Sequence, residues 1–441
     1  MNRSLALIFC LLLSLTSLAQ KPDETVATAT GHKWTGNDLS ADAKDALAKF
    51  PTLLISARKQ LLAQAVGELL LETEAKARGI SPIDLVKVET KKVKDPTAAE
   101  IKAVYDANAD RVGGQTLEQV RPQIVEFLRR DPEEKAVKAF VDALAVKYKG
   151  AYPKDVNAAG LKPTDVLFAM TGKTITDKEF EGQSGLTLFG LSADFYNDLR
   201  DDAGDVVYSQ LVLDEARALK IESSDLIARE VTNKAKDLSD EERAIAEKAF
   251  RDKLFAKYAV KILIPQPEAP MQDISVDDDP SKGAATAPVT IVMFSDFQCS
   301  ACSATHPVLQ EAMAPYADKI RFVVRDYPLE TVHPNAFHAA LAANAARAQG
   351  KFFEYVEILY KNQKAQDDDS LKKYAADLGL NAAQFAIDFT SEKTAAEVRK
   401  DMDDGKNYGV TGTPSIFVNG RYVHELSVAS FKNAIESALK K

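Results

Sequence analysis

Cysteine and tryptophan are scarce in this chain. After its N-terminal segment, the chain also contains no long apolar run and no basic run. Among 441 residues there are three cysteines and one tryptophan, so a scaffold held together by many disulfides is excluded. The net charge of −9, without any cluster of Lys or Arg, argues against nucleic acid and anionic membrane surfaces as partners. After the N-terminus, no apolar run approaches the roughly 20 residues of a membrane-spanning helix, so we expect no stable membrane insertion.

The first residues are typical of an export signal. A single positive charge at Arg3 precedes an apolar run from Leu5 to Leu13, and a small-residue stretch ends at Ala19. We therefore predict a signal peptide over residues 1–19 and a periplasmic location for the mature protein. Cleavage removes Cys10 and leaves two cysteines, three positions apart, in a compartment where disulfides form.

The first half of the chain contains an internal repeat. The corresponding stretches are residues 30–35 with 171–176, 74–80 with 215–221 and, at a shorter offset, 139–148 with 249–258. The second copy therefore lacks a piece equivalent to roughly residues 101–131. Because apolar residues recur at helical spacing in both copies, we predict two helical modules, residues 20–153 and a shortened module of residues 154–264. A chain of this length is also too long for a single core.

Three segments of the first copy carry a resemblance to a known family. They are Glu74–Ile80 (EAKARGI), Asp95–Asn108 (DPTAAEIKAVYDAN) and Val120–Ile124 (VRPQI), and they resemble the helical chaperone domain of the SurA and PpiC family of periplasmic folding factors. The resemblance implies that the helical half binds non-native chains. Many of these proteins carry a prolyl-isomerase domain where this chain has only a short stretch around Val112–Gln115, so isomerase activity is not implied. A spacer or dimerisation module is the alternative interpretation.

A second domain is predicted after the helical half. Residues 265–287 are rich in Pro, Asp and small residues and are predicted to be a linker to a domain of residues 288–441. This domain opens with a buried-strand pattern at Val289–Phe294, and a helical pattern runs from the cysteine pair to Met313. The cysteines therefore lie where a strand gives way to a helix.

Cys299 and Cys302 are predicted to form the catalytic site at the start of that helix. Unpaired N–H groups at a helix start stabilise a thiolate, and the thiol pKa in such Cys-x-x-Cys sites falls to about 3.5–7.5. We predict that Cys299 is an exposed nucleophile. Cys302, one turn along and facing inward, then attacks the mixed disulfide that Cys299 forms with a substrate, so the pair alternates between two thiols and a redox-active disulfide.

Three further sequence features accompany the cysteine pair in this domain. Pro307 follows the second cysteine by five residues, an alanine-rich helical stretch lies between predicted strands, and Thr411–Val418 (TGTPSIFV) precedes an Asn-Gly turn. Together they resemble the DsbA-like branch of the thioredoxin superfamily over about residues 287–441. The resemblance implies an α/β thioredoxin fold with a helical insertion. The helical spacing in the two repeat copies predicts that the N-terminal half before it is all-α. It also implies a cis bond before Pro414 and contacts of Thr413 and Pro414 with extended substrate backbone.

One position departs from this resemblance. Thioredoxin and DsbA carry a buried acid six residues before the first cysteine, where this chain has Met293. Asp296 is closer to the pair but is predicted to lie on the loop, so we do not expect it to take that role. His306, four residues after Cys302, is predicted to be a surface histidine of the helix.

Two other interpretations of the cysteines remain. Cys299, Cys302, His333 and His338 can be written as a zinc ligand set, although the interval between the cysteines and the histidines is far longer than in compact zinc fingers. A purely structural disulfide is the second, although so short a loop constrains the unfolded chain little. We predict no metal and no cofactor.

The predicted function is that of an exported thiol-disulfide oxidoreductase. Its expected partners are unfolded or partly folded exported proteins and a redox partner that recycles the cysteine pair. The alternative is a periplasmic holdase chaperone or assembly factor whose thioredoxin-type domain binds without turnover. The sequence leaves open both the direction of disulfide exchange and the oligomeric state.

Overall fold

The computed structural model of this protein describes residues 23–236 and 239–440. The predicted signal peptide, residues 1–19, lies outside them. In the described part of the chain, no helix has both the length and the apolarity needed to cross a membrane. Most of the described residues are helical, and the largest sheet lies in the C-terminal part.

The part of the chain before residue 265 consists of long helices and short hairpins. Several helices start at Ser or Thr caps, as where the Ser81 hydroxyl accepts a hydrogen bond from the N–H of Asp84. In chain order the elements are β1 (Thr25–Ala29), β2 (His32–Thr35), α1 (Ala41–Arg78), α2 (Pro82–Thr90), α3 (Ala98–Ala107), α4 (Leu117–Lys147), β3 (Val166–Met170), β4 (Lys173–Thr176), α5 (Asp177–Leu219), α6 (Ser223–Glu230), α7 (Asp240–Lys257) and β5 (Lys261–Ile262).

The chain divides into two compact units. Residues 55–181 form one, and residues 23–54 together with 182–440 form the other. These limits do not coincide with the limits of the sequence repeat, residues 20–153 and 154–264. The reason lies in the two hairpins.

Each hairpin is bonded to the last long helix of the other repeat copy. In the unit of residues 55–181, the N–H of Thr171 in the β3–β4 hairpin donates to the carbonyl of Tyr148 at the end of α4, at 2.8 Å. In the other unit, the N–H of Thr30 in the β1–β2 hairpin donates to the carbonyl of Tyr258 at the end of α7, at 2.7 Å. The hairpins are thus exchanged between the copies, and the compact units combine parts of both.

In each repeat copy, a glutamate accepts hydrogen bonds from the end of the last long helix. Glu74 accepts hydrogen bonds from the Lys147 ammonium and, at 2.7 Å, from the Tyr148 hydroxyl. Glu215 accepts from the Tyr258 hydroxyl at 2.9 Å and from the neighbouring lysine. The hydrogen bond from Lys147 is the main reason that the pKa of Glu74 falls to about 2. These two clusters occupy matching positions of the repeat.

Trp34, the one tryptophan of the sequence, packs in the interior. It is 7% exposed and lies opposite Ala27 across the first hairpin. Ile175 holds the matching place in the second hairpin, opposite Phe168, and is buried as well. A large apolar side chain at this position covers the inner face of each hairpin.

The C-terminal part is built on one five-stranded sheet. Its elements are β6 (Ser281–Lys282), β7 (Val289–Ser295), α8 (Ser300–Met313), β8 (Ile320–Asp326), α9 (Ala336–Arg347), α10 (Phe352–Lys361), α11 (Asp368–Asp377), α12 (Ala382–Phe389), α13 (Glu392–Asn407), β9 (Ser415–Val418), β10 (Arg421–Val423) and α14 (Val428–Leu439). The strand order is β10-β9-β7-β8-β6, with β7 parallel to β8 and antiparallel to β9. Strand β7 is central and almost wholly apolar because helices cover both faces of the sheet. Helices α9 to α13 form the insertion between β8 and β9.

The predicted linker, residues 265–287, is packed on this sheet over part of its length. Strand β6 lies within it and pairs antiparallel with β8 at the sheet edge. The N–H of Gln272 donates to the carbonyl of Gly420 at 2.8 Å. Asp279 is only 5% exposed. From Gln272 onward, the segment therefore makes contacts that belong to the folded C-terminal part.

A buried arginine on β8 gathers carboxylates from several elements. Arg325 is 0% exposed; its Nε lies 2.9 Å from Asp279 Oδ2 and donates to Asp401 Oδ1, also at 2.9 Å. It also donates to Asp404 at 2.7 Å. Burial, together with the Asp401 carboxylate, raises the pKa of Asp279 to about 8, although Arg325 acts in the opposite direction. One guanidinium does not neutralise three carboxylates, so Asp279 holds a proton at neutral pH.

Candidate active site at the start of helix α8

The chain turns between β7 and α8, and Asp296 fixes this turn. One carboxylate oxygen accepts the N–H of Gln298 at 2.7 Å, and the other accepts the N–H of Leu329 at 2.9 Å. The second oxygen also lies 2.8 Å from Nδ1 of His333. Asp296 lies on the loop, as predicted, but it is only 1% exposed. Its role in the structure is to hold the backbone that leads into the cysteine pair.

The two cysteines occupy the first turn of α8 and are unequal acids. Cys299 is the N-cap residue, and both cysteines are free thiols. A hydrogen bond from the Cys302 thiol, helped by the N–H groups of Cys302 and Ala301, lowers the pKa of Cys299 to about 5, although burial opposes this. Burial raises the pKa of Cys302, which is 0% exposed. At neutral pH, Cys299 is therefore the thiolate and Cys302 the thiol.

The loop before β9 covers Cys299. The Thr413–Pro414 peptide bond is cis, and Sγ of Cys299 lies 3.4 Å from the carbonyl oxygen of Thr413. Cys299 is 8% exposed, which is less than the sequence led us to expect of a nucleophile. The structure therefore brings Cys299 against Thr413, the residue before Pro414, and within hydrogen-bond reach of the Cys302 thiol.

Two glutamines that the sequence did not indicate hold the carbonyls of the cysteine loop. The Gln363 amide donates to the carbonyl of Cys299 at 2.7 Å, and the Gln366 amide donates to the carbonyl of Phe297 at 3.0 Å. They stand 64 and 69 residues further along the chain, just after α10, so no local pattern links them to the cysteines. These two bonds hold the loop in place, and the N–H groups that reach the sulfur of Cys299 come from Ala301 and Cys302 in the first turn of α8.

Polar groups also surround Cys302, and the sequence did not indicate these either. The Ser295 hydroxyl and the backbone N–H of Asp296 form hydrogen bonds to the Cys302 sulfur and act against the effect of burial on its pKa. The Ser295 hydroxyl also lies 2.6 Å from the Tyr360 hydroxyl, and both side chains are buried. Met293, at the position of the missing acid, is 0% exposed and packs in the apolar core.

The histidines of the alternative zinc set are engaged elsewhere. His333 is bonded to Asp296, and Nδ1 of His338 lies 2.6 Å from a carboxylate oxygen of Asp368. Among the residues that the structure describes, no group of three or more close metal-ligating side chains contains either cysteine. The geometry therefore does not assemble the zinc set.

His306 is buried, so the prediction of a surface histidine was wrong. It is 6% exposed, and its Nε2 lies 2.8 Å from a carboxylate oxygen of Glu357 on α10. Its ring also lies beside Tyr360, with 5.1 Å between the ring centroids. Helix α10 covers this face of α8, and the helical pattern around His306 contains no sign of that contact.

Comparison with known sequences covers part of the chain. The thioredoxin family model matches residues 275–437. The Na(+)/H(+) antiporter NhaA 3 of Salinispora tropica is 35% identical over 169 residues, which are 38% of this chain and 26% of that protein. The Na(+)/H(+) antiporter NhaA 1 of Mycolicibacterium vanbaalenii is 34% identical over 170 residues, which are 38% of this chain and 28% of that protein. The chain thus spans about a quarter of the length of the curated relatives it matches.

Solved structures of similar proteins cover a comparable share. A thioredoxin-like oxidoreductase from Silicibacter pomeroyi is 25% identical, with a TM-score of 0.35, over 37% of this chain and 94% of that chain. Oxidised BdbD from Bacillus subtilis is 23% identical, with a TM-score of 0.35, over 40% of this chain and 100% of that chain. The family match and the placement of the cysteine pair between β7 and α8 lead to one conclusion: residues 275–437 form a thioredoxin-like domain.

Proposed function

We propose that this chain catalyses thiol-disulfide exchange on proteins exported to the periplasm, with Cys299 as the nucleophile and Cys302 as the resolving thiol. The observation that carries the proposal is the unequal ionisation of the two sulfurs. Cys299, at the N-cap of α8, has a pKa of about 5, whereas burial keeps Cys302 protonated. The thiolate is the reactive form of cysteine, and helix N-termini are where such thiolates are stabilised.

The chemistry consists of two exchanges. In the reducing direction, the Cys299 thiolate attacks a substrate disulfide, a bond forms between Cys299 and one substrate sulfur, and the other substrate sulfur leaves as a thiolate. Cys302 loses its proton to water and attacks the sulfur of Cys299. The Cys299–Cys302 disulfide forms, and the remaining substrate sulfur leaves. The oxidising direction is the reverse, and a second redox partner restores the pair in either case.

Thr413 and Pro414 are assigned to substrate binding. When Cys299 is bonded to a substrate sulfur it has no thiol proton, and the carbonyl of Thr413 is then free to accept an N–H from an extended substrate chain. Pro414 has no N–H of its own, and it is buried. The backbone before it is therefore the part of the loop that faces the substrate.

The helical half is assigned to the binding of non-native chains. Of the sixteen large apolar side chains that are exposed in the described residues, thirteen precede residue 265. Exposed apolar side chains are suited to contact the apolar segments of an unfolded chain. The resemblance to the SurA and PpiC family supports the same assignment, and the predicted signal peptide supports a location shared with exported substrates.

The test is turnover in a disulfide assay with the full chain. Cys299→Ser should abolish both the reduction of insulin and the oxidation of a reduced test peptide, whereas Cys10→Ser should retain both. Cys302→Ser should accumulate a mixed disulfide that is visible on a non-reducing gel, because the second exchange cannot occur. Unchanged turnover by Cys299→Ser contradicts the proposal.

A holdase without turnover is the second candidate, and the exposed apolar side chains of the helical half favour it. The full chain carrying both Cys299→Ser and Cys302→Ser separates the two candidates. A holdase keeps its entire effect on substrate folding in this variant. An oxidoreductase with a binding half keeps only the suppression of aggregation and loses all exchange.

A further inference from the structure

The resolving step poses an electrostatic difficulty in this site, given the exchange function proposed above. Cys302 must become a thiolate to attack the mixed disulfide, yet it is 0% exposed and lies in the apolar core. A buried, unpaired charge is costly. The acid that the family resemblance places nearby is replaced by Met293, which offers neither a proton acceptor nor a hydrogen bond.

Asp296 does not take the place of that acid. Its two carboxylate oxygens already accept the N–H groups of Gln298 and Leu329 and contact His333. Only its backbone N–H is directed at the Cys302 sulfur. Any side chain that stabilises the Cys302 thiolate beside this N–H must therefore belong to another residue.

The Ser295 and Tyr360 hydroxyls lie on the buried side of Cys302. Ser295 is the last residue of β7 and is 1% exposed, and Tyr360 on α10 is 8% exposed. Their oxygens are 2.6 Å apart. Burial raises the pKa of Tyr360, so the phenol keeps its proton and is able to donate it to a hydrogen bond. If Tyr360 donates to Ser295, the single hydroxyl hydrogen of Ser295 is left for the sulfur of Cys302.

We propose that Tyr360 and Ser295 form a chain of two hydrogen-bond donors that ends on the Cys302 sulfur and stabilises its thiolate during the resolving step. Ser295 contacts the reacting sulfur directly. Tyr360 is a positioning residue, because it fixes the direction in which the Ser295 hydroxyl points. Neither group accepts the proton, which leaves to water as before. The pair lowers the free energy of the charged sulfur in a site where hydrogen bonds are strong because water is excluded.

The other ionisable groups around this chain are few and identifiable. Cys299 faces Cys302 from the same helix, and Asp296 faces it from the loop. His306 and Glu357 lie on the far side of the Tyr360 ring and are bonded to each other. A change in the pH profile of the resolving step can therefore be assigned by comparing variants of Ser295 and Tyr360.

The test separates the two exchanges in time. In a Cys10→Ser background, the reduced full chain is mixed with the aromatic disulfide dithiobis(nitrobenzoate) in a stopped-flow instrument. Attack by Cys299 releases one coloured thiolate, and attack by Cys302 on the resulting mixed disulfide releases the second. We expect Ser295→Ala to slow only the second release, by about ten-fold, since a hydrogen bond to a charged group is lost. Tyr360→Phe should slow it several-fold.

The pH profile and a matched control complete the test. In both variants the second release should reach half its maximal rate at a higher pH than in the parent, because the Cys302 thiolate is less stable. Tyr355→Phe is the control, since it also removes a buried hydroxyl from α10, one that donates to the carbonyl of Leu371 at 2.7 Å. It should leave both releases unchanged.

The possible failures are distinguishable. Absence of both releases in the parent chain overturns the proposed exchange function itself. Two normal releases in the parent, with second-release rates within two-fold in Ser295→Ala and Tyr360→Phe, overturn the donor chain alone. Equal slowing by Tyr355→Phe also overturns it, because any lost buried hydroxyl then has the same effect. If Ser295→Ala does not fold, the second-release rate of Tyr360→Phe, compared with that of the parent, decides between these outcomes.

Discussion

The sulfur of Cys299 lies 3.4 Å from the carbonyl oxygen of Thr413, a residue 114 positions later in the chain. A thiol can donate to that carbonyl, but a thiolate cannot. Ionisation of Cys299 therefore breaks the bond to this carbonyl, and the donors at the start of α8, together with the Thr413 side chain, stabilise the charged sulfur. The protonation state of the nucleophile thus determines whether the loop carbonyl is engaged or free for a substrate.

The first prediction concerns the reactivity of Cys299. In the reduced protein, the rate at which iodoacetamide alkylates Cys299 should follow a titration with a midpoint near its pKa of about 5. The thiol of Cys302 makes the largest contribution to this low pKa. Cys302→Ala should therefore move the midpoint upward by about one pH unit or more. The rate is measured by mass spectrometry, and equal midpoints in the two proteins contradict the assignment of Cys302 as the main donor.

The second prediction concerns the reduction potential of the pair. At pH 7, a fall in the pKa of Cys299 from 9.0 to about 5 stabilises the reduced form by roughly 3 kcal/mol, or about 60 mV for a two-electron couple. We therefore expect a potential less negative than the roughly −270 mV of thioredoxin, measured by equilibration with glutathione.

The pH dependence of the potential provides an internal check on this reasoning. Below the pKa of Cys299 reduction takes up two protons, and above it only one. The potential should become more negative by about 60 mV per pH unit at low pH and by about 30 mV above a break near pH 5. A slope of about 60 mV that continues to neutral pH contradicts the low pKa.

The local features of the site could be predicted from the sequence, and the distant ones could not. Cys299 and Cys302 stand between a buried-strand pattern and a helical pattern, so their position in the first turn of α8 follows from neighbouring residues alone. Gln363 and Tyr360 belong to the same site but come from around α10, roughly sixty residues later. Their side chains have no partner in their own segment that marks them. His306 was mispredicted for the same reason, because Glu357 reaches it from that helix.

The exchange of hairpins was also beyond the sequence. The repeat shows which segments are alike. Because the two hairpins resemble each other, and so do the two helix ends, the sequence does not determine which hairpin packs against which helix end. The N–H of Thr30 donates to the carbonyl of Tyr258, and that of Thr171 donates to the carbonyl of Tyr148. Each hairpin therefore packs against the helix end of the other copy. Similarity between copies does not decide which of them pairs with which.

The third prediction concerns the stability of the C-terminal part at different pH values. The pKa of Asp279 is raised from 3.8 to about 8, so its contribution to stability is complete below pH 3.8 and is lost as the pH rises through 8. In the oxidised protein, where Cys299 does not ionise, Asp279 alone should lower the free energy of unfolding by about 1 kcal/mol per pH unit between about pH 5 and pH 8. Asp279→Asn cannot ionise and should flatten this decline.

Urea unfolding at several pH values measures this effect. Asp318→Asn is the matched control, since Asp318 is exposed in the same part of the chain and its removal should leave the slope unchanged. Asp326 also has a pKa raised to about 8, chiefly by burial, so some decline should persist in Asp279→Asn. If wild type and Asp279→Asn lose stability in parallel, Asp279 is ionised in the folded protein.

The fourth prediction separates binding from exchange. Phe127 and Val146 on α4 are 55% and 81% exposed, and Ile387 on α12 of the thioredoxin-like domain is 62% exposed. If the helical half binds non-native chains, the double variant Phe127→Ser with Val146→Ser should weaken the suppression of aggregation of an unfolded test protein, because apolar contact area is lost. Its reduction of insulin should be unchanged, since neither residue belongs to the cysteine site.

Ile387→Ser is the control for this prediction. It removes a similarly exposed apolar side chain from the thioredoxin-like domain and should suppress aggregation as well as wild type does. Light scattering at equal protein concentrations decides the matter: equal suppression by all three proteins means that the exposed apolar side chains of α4 do not hold substrate.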